Sequence, residues 1–105
     1  MHVQKVMQYQ FSGEVWLYQG ESAWHFITLP KEYADEIKEV YSAQAAGFMP
    51  IKVNVDIGKT SFSTSIFPDN KSGSYLLPLK KSVRLAENIN AGATISAKLE
   101  VVDRS

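Results

Sequence analysis

Four cations, Lys71, Lys80, Lys81 and Arg84, fall between residues 70 and 86 with no acid among them. Guanidinium and ammonium groups gathered on one stretch suit an anion: a phosphate, a carboxylate or a nucleic-acid backbone. Arg84 lies one helical turn from Lys80 or Lys81. Lys80, Lys81 and Arg84, with Tyr75 and Ser65, form the candidate contact set for an anion or other ligand. A structural role competes for Arg84: its stem would cover one end of a barrel while its head bonds strand carbonyls. Four charges make a small electrostatic footprint, which favours the structural role. Trp24, Tyr75 and Phe67 are expected near this group, with core or rim roles ahead of ligand stacking.

A second stretch invites a chemical reading. "SFSTSIFP" (61–68) crowds Ser61, Ser63, Thr64 and Ser65 into five positions. A serine nucleophile needs an activating base. The chain has no G-x-S-x-G elbow and no S-x-x-K pair. Of its two histidines, His2 sits at the terminus, and His25 alternates with Trp24 and Phe26, so it shares a strand face with Ile27 and Leu29. "GKT" (58–60) has Val53 where a phosphate-binding P-loop needs glycine, and a strand follows where that motif needs a helix. Glu32, Asp35, Glu36 and Glu39 are linked by steps of three and four but are interleaved with Lys31 and Lys38, without histidine: a solvated helix face, not a metal site. No catalytic residue, cofactor or metal ligand is assigned.

Bulk composition narrows the classes further. A chain of 105 residues makes one domain with a single core. It has no cysteine, which excludes disulfides, thiolate nucleophiles and cysteine metal sites. Eleven basic residues balance eleven acidic ones, so nothing attracts nucleic acid or anionic membrane globally. No apolar run approaches a membrane span, and "MHVQKVMQYQ" does not read as a signal peptide. A soluble cytoplasmic domain is expected, in which the "NKS" sequon at 70–72 carries no weight.

The elements that must position these groups follow from periodicity. Met7, Tyr9, Phe11, Gly13, Val15 and Leu17 mark one long strand with a buried face. "QGES" is a turn, and "WHFITL" is a second strand stopped by Pro30. Tyr33, Ile37, Val40 and Tyr41 are spaced as one face of an amphipathic helix, with Gly47 beyond its end. Ile51, Val53, Val55 and Ile57 then alternate with polar residues, and Gly58-Lys59 suits a two-residue hairpin turn. That turn sets Ile57 opposite Thr60, Val55 opposite Phe62, Val53 opposite Thr64 and Ile51 opposite Ile66. The three serines then lie on the outer face, opposite Asp56, Asn54 and Lys52, with Thr64 inward. "DNKSG" is a flexible loop, "SYLLPL" a short strand and "KKSVRLAENIN" a short helix. "AGATISAKLEVV" is the last strand, with Ile95, Ala97, Leu99 and Val101 on one face. The order is β-β-α-β-β-β-α-β.

Two segments echo one another. "FITLPKEYADEI" and "SYLLPLKKSVRLAENI" both run strand, Leu-Pro, helix, with proline where its missing N–H does least harm. Such an echo implies two intertwined halves about a pseudo-two-fold axis. The second segment resembles the strand–proline–helix–strand unit of the AbrB and MazE swapped-hairpin proteins, although their Gly-Asp is here Gly92-Ala93. The whole chain resembles a single-chain relative, the bacterial and archaeal family named as domain of unknown function 1905. Trp24, Phe26, Leu29-Pro30, Thr64-Ser65, Pro68, Gly73, Leu77-Pro78, Lys80, Val83-Arg84 and Gly92 carry the match. The resemblance implies a mainly β domain with two short helices, a double-split β-barrel over residues 1–105 with its core at about 7–102. It carries no established activity; fusion of some members to a domain associated with bacteriocin protection implies a partner.

The chain is therefore read as a non-enzymatic binding or accessory module, its partner a small anionic ligand or a protein. The alternative is a DNA-binding regulator by analogy of fold, against which the neutral charge argues. A small hydrolase using Ser65 or Thr64 with Lys80 ranks last, for want of a base.

Overall fold

The computed structural model describes residues 7–20, 23–41 and 50–102. Alternation governs the first stretch: Met7, Tyr9, Phe11 and Val15 are buried, while Gln8, Gln10 and Ser12 face solvent. The single strand expected to reach Leu17 is in fact two, β1 (Met7–Glu14) and β2 (Trp16–Leu17). Val15, between them, donates its N–H to the Ala93 carbonyl at 2.8 Å and accepts the Gly92 N–H at 2.7 Å. The chain bends there, and Leu17 drops out of the buried series at 47% exposed. Gly13 holds an inward position where a Cβ would stand 2.6 Å from Ile27 Cγ2, so Ile27 fills the space a side chain would need.

β3 (His25–Thr28) leads through Pro30 into α1 (Lys31–Tyr41). Ala34 and Ile37 of this helix are fully buried, with Tyr33 and Val40 half-buried beside them. The expected stop at Gly47, and His2, lie outside the described residues. The hairpin of β4 (Ile51–Ile57) and β5 (Thr60–Asp69) adopts the expected register, from Ile57 opposite Thr60 to Ile51 opposite Ile66. Gly58 at φ +58°, with Lys59 at negative φ, gives the mirror-turn geometry that matches strand twist.

Instead of a flexible loop, residues 70–73 form a hydrogen-bonded turn. Asp69 accepts the Ser72 hydroxyl at 2.7 Å and its N–H at 3.1 Å, and Gly73 donates to the Asp69 carbonyl at 2.9 Å. β6 (Ser74–Pro78), α2 (Lys81–Glu87) and β7 (Thr94–Val101) complete the chain.

All strand pairs are antiparallel, in the order β1-β7-β4-β5-β6-β3-β2. Because β2 continues β1, the two ends of that series are one piece of chain, and the sheet curls into a half-barrel. β5 makes a similar crossing: residues 60–66 pair with β4 and 67–69 with β6. The interior holds Ile27, Leu29, Ile37, Ile66, Leu77 and Leu99, each at most 2% exposed. The result is a mainly β single domain with two helices among the described residues, α1 against β6 and α2 against β5. Among the described residues no helix is long and apolar enough to cross a membrane.

The sequence echo has a counterpart in the pairing. Thr28 faces Leu76 and Val53 faces Val101. Both pairs are 48 residues apart (28 to 76, 53 to 101). β3 thus pairs with its own equivalent β6, and β4 with its equivalent β7, and each ladder includes one pair of equivalent residues, as a pseudo-two-fold relation requires.

The two outer surfaces of the sheet differ. Over β1, β7, β4 and the first part of β5 it is polar: Gln8, Gln10, Asn54, Asp56, Ser61 and Lys98 are exposed. Residues directly opposite in a ladder share a face. The pairs Trp16–Phe26, Phe26–Pro78, Thr28–Leu76 and Phe67–Leu76 therefore build an apolar outer face over β2, β3, β6 and the end of β5.

Candidate ligand groove

α2 begins after the Leu77-Pro78 turn and carries Val83 inward, 2% exposed. Asn88 ends the helix at φ +54°, a left-handed position that asparagine tolerates, and its neighbour Ile89 donates to the Arg84 carbonyl at 2.8 Å. Next to Val83, Arg84 is half-buried and its Nε–H donates to the Leu79 carbonyl at 3.1 Å. This is the carbonyl contact expected of a structural arginine. Among the described residues it is also the guanidinium's sole hydrogen bond, which leaves both terminal amino groups uncommitted.

Beside Arg84 opens a groove of about 390 Å³. Lys80 and Arg84 supply its charge, and among the described residues no carboxylate lines it. Phe62 and Thr64, half-buried on the inner face of β5, also line it. Phe67, where β5 changes partners, is 40% exposed on another wall. Trp24, at the entry to β3, is 50% exposed there. Its ring stacks on Phe26 at 5.9 Å and 16°, and Phe26 is braced in turn by Trp16 at 5.3 Å and by the edge-on ring of Tyr18 at 6.1 Å. Tyr18 N–H donates to the Trp24 carbonyl at 2.8 Å, which fixes the backbone beneath the indole. His25 also lines the groove. Its Nδ1 lies 2.9 Å from the Ala23 carbonyl; a carbonyl only accepts, so the proton sits on Nδ1.

Of the residues singled out in the sequence, the structure brings together Lys80 and Arg84, with Trp24 and Phe67 beside them. It does not bring Lys81, Tyr75 or Ser65 to the groove. Lys81 is exposed at the start of α2. Tyr75 is buried in the core, and burial pushes its phenol pKa up. Ser65 faces Lys52 across the hairpin, and its neighbours are engaged there: Ser61 donates to Asp56 at 2.6 Å and Ser63 to Asn54 at 2.7 Å. Phe62 joins the site without having been singled out, as do Thr64 and His25, which the sequence offered only as a nucleophile beside Lys80 and as a base. The inward side of the hairpin named Phe62 and Thr64, but nothing local said that they line a groove.

The remaining chemistry is structural. Lys31 pairs with Asp35 at 2.7 Å, and Glu36 accepts the Tyr9 hydroxyl at 2.6 Å, so the acidic row of α1 is a solvated, partly bonded face. Among the described residues no group of three histidines or carboxylates could hold a metal ion. A broader depression of about 530 Å³ crosses the polar outer sheet, but Asp56, Lys98 and Glu100 give it both signs of charge and no direction.

Fold and site together define a mainly β domain, with seven antiparallel strands and two helices among the described residues and a cationic, aromatic-walled groove. The family model described as "Domain of unknown function (DUF1905)" matches residues 11–99, and the chain belongs to that family. No curated protein matches the chain.

Proposed function

We propose that the domain is a non-enzymatic binding module that takes a small anionic ligand in the Lys80–Arg84 groove. The observation that carries this is the charge of the lining: two cations and, among the described residues, no carboxylate, in a chain of zero net charge. A local excess of one sign within low-dielectric walls concentrates the opposite sign. A binding role is favoured over catalysis because Thr64, the hydroxyl in the groove, is bonded to neither His25 nor Lys80. The DNA-binding alternative gains no support from the outer sheet, whose charges are mixed. The halves offset by 48 residues favour a single-chain version of the double-split barrel of AbrB- and MazE-like proteins. That likeness bears on architecture and not on ligand.

The test is a titration of isotopically labelled protein with a panel of carboxylates and phosphates, ringed and ringless, up to concentrations on the order of 10 mM. Saturable shifts are expected at Arg84 Nε–H and at Lys80, and are lost in Arg84→Ala. Arg84→Lys retains the charge but has no Nε–H for Leu79. It should lose about 0.5–1.5 kcal/mol of stability, the worth of one hydrogen bond, and bind more weakly. If no anion in the panel shifts the groove, the domain is not an anion-binding module.

A further inference from the structure

Resting on that proposal, we infer that the anion is one arm of a flat aromatic ligand whose ring lies on Trp24. A single exposed aromatic is ordinary. Here Trp24 and Phe67, each at least 40% exposed, stand on the walls of the same groove as Lys80 and Arg84. One face of the Trp24 indole is taken by Phe26, nearly parallel at 16°, so a ring laid on the other face continues an existing stack. The platform is set before any ligand arrives. Phe26 is 9% exposed and wedged between Trp16 and Tyr18, and the Trp24 carbonyl is held by Tyr18 N–H. Little ordering cost remains to set against binding.

Arg84 fits the second half of such a ligand. With Nε fixed on Leu79, its two terminal amino groups present the end of the fork, which two oxygens of a carboxylate or phosphate match. The groove's volume, about 390 Å³, falls in the range of small-molecule sites, roughly 300–1,000 Å³. A bare inorganic ion would leave most of it to water. The ligand class is therefore a planar ring, carbocyclic or heterocyclic, bearing one carboxylate or phosphate arm.

The test compares binding of indole-3-acetate and adenosine monophosphate with acetate and inorganic phosphate, and with uncharged indole and adenosine. The ringed anions should bind about tenfold or more tightly than their ringless or uncharged counterparts, the usual scale of ring stacking on an aromatic side chain. Indole-3-acetate and adenosine monophosphate between them tell whether the arm is carboxylate or phosphate. Trp24→Ala should abolish the preference for rings and leave acetate and phosphate unchanged, while Trp24→Phe keeps most of it. Should Trp24→Ala fail to fold, Phe67→Ala gives the same comparison at the other exposed ring lining the groove. Ringless anions binding as well as ringed ones would overturn the inference and leave the anion site standing. Failure of every anion would remove the proposed function beneath it. Affinity for single-stranded oligonucleotides that climbs with their length, far above that of adenosine monophosphate, would overturn it in favour of nucleic acid.

Discussion

Replacing Gly13 by alanine sets two effects of opposite sign against each other. Gly13 is not at positive φ, so alanine fits its backbone and should gain about 0.4–1 kcal/mol by restricting the unfolded chain. Against this, the new Cβ would lie 2.6 Å from Ile27 Cγ2, far inside the roughly 3.5–4.0 Å of a good carbon contact. Ile27 is 1% exposed and sits on β3 between β2 and β6, so it cannot move outward. Overpacking of this kind costs about 1–3 kcal/mol, which outweighs the entropic gain. The net loss should be about 0.5–2 kcal/mol, which for a domain of this size lowers Tm by several degrees. Ile27→Leu removes the offending methyl while conserving volume and should cost under about 1.5 kcal/mol alone. In urea melts of the two single variants and the double variant, the double should be more stable than additivity predicts by about 0.5 kcal/mol or more. A neutral Gly13→Ala, or strict additivity, would refute the crossing of β1 over Ile27 as the reason for glycine.

Gly58→Ala should destabilise by about 1–3 kcal/mol, because φ +58° disfavours a side chain and the added Cβ would overlap the Glu87 carboxylate; thermal melts measure it. Glu87→Ala should cost about 1–2 kcal/mol and loosen the β4–β5 turn in hydrogen exchange, since Glu87 accepts from Thr60 Oγ1 at 2.5 Å and Lys59 N–H at 3.3 Å. The Ser72 hydroxyl bond, against an opposing push from burial, holds the Asp69 carboxyl below its usual 3.8. Its contribution is therefore complete above about pH 4 and fades as pH falls through the lower folded value. Between pH 5 and pH 2, roughly, wild-type Tm should fall further than that of Asp69→Asn, and equal falls would discount the Asp69 turn.

The hairpin was legible because its register hangs on two residues. Gly58-Lys59 admits one tight turn, and a slip by one residue would bury Asn54 and expose Val55. The last strand was legible for the same reason: alternation is local. The bend at Val15 was not, because it depends on hydrogen bonds to residues 92 and 93, remote in sequence. Trp24 beside Phe67 was anticipated, but with a core or rim role put ahead of ligand contact. The pairing that gives β2, β3 and β6 an apolar outer face is tertiary, and it leaves both rings half in solvent. Tyr75 lost its place among candidate contacts because both faces of β6 are buried, and a tyrosine between Ser74 and Leu76 shows no sign of that locally.

The offset of 48 residues divides the chain into two similar units, β1 to β4 and β5 to β7, yet neither unit is a building block. The long ladders β1–β7 and β4–β5, and the central pairs β4–β7 and β3–β6, all join one unit to the other. Only the short β2–β3 and β5–β6 ladders stay within a unit. Each half supplies the edges that the other needs to satisfy its backbone, so opening either strips hydrogen-bond partners from both. The paired strands therefore form one cooperative unit, and the groove, built from β3 of one half and β5 and α2 of the other, exists only while the halves stay interlocked.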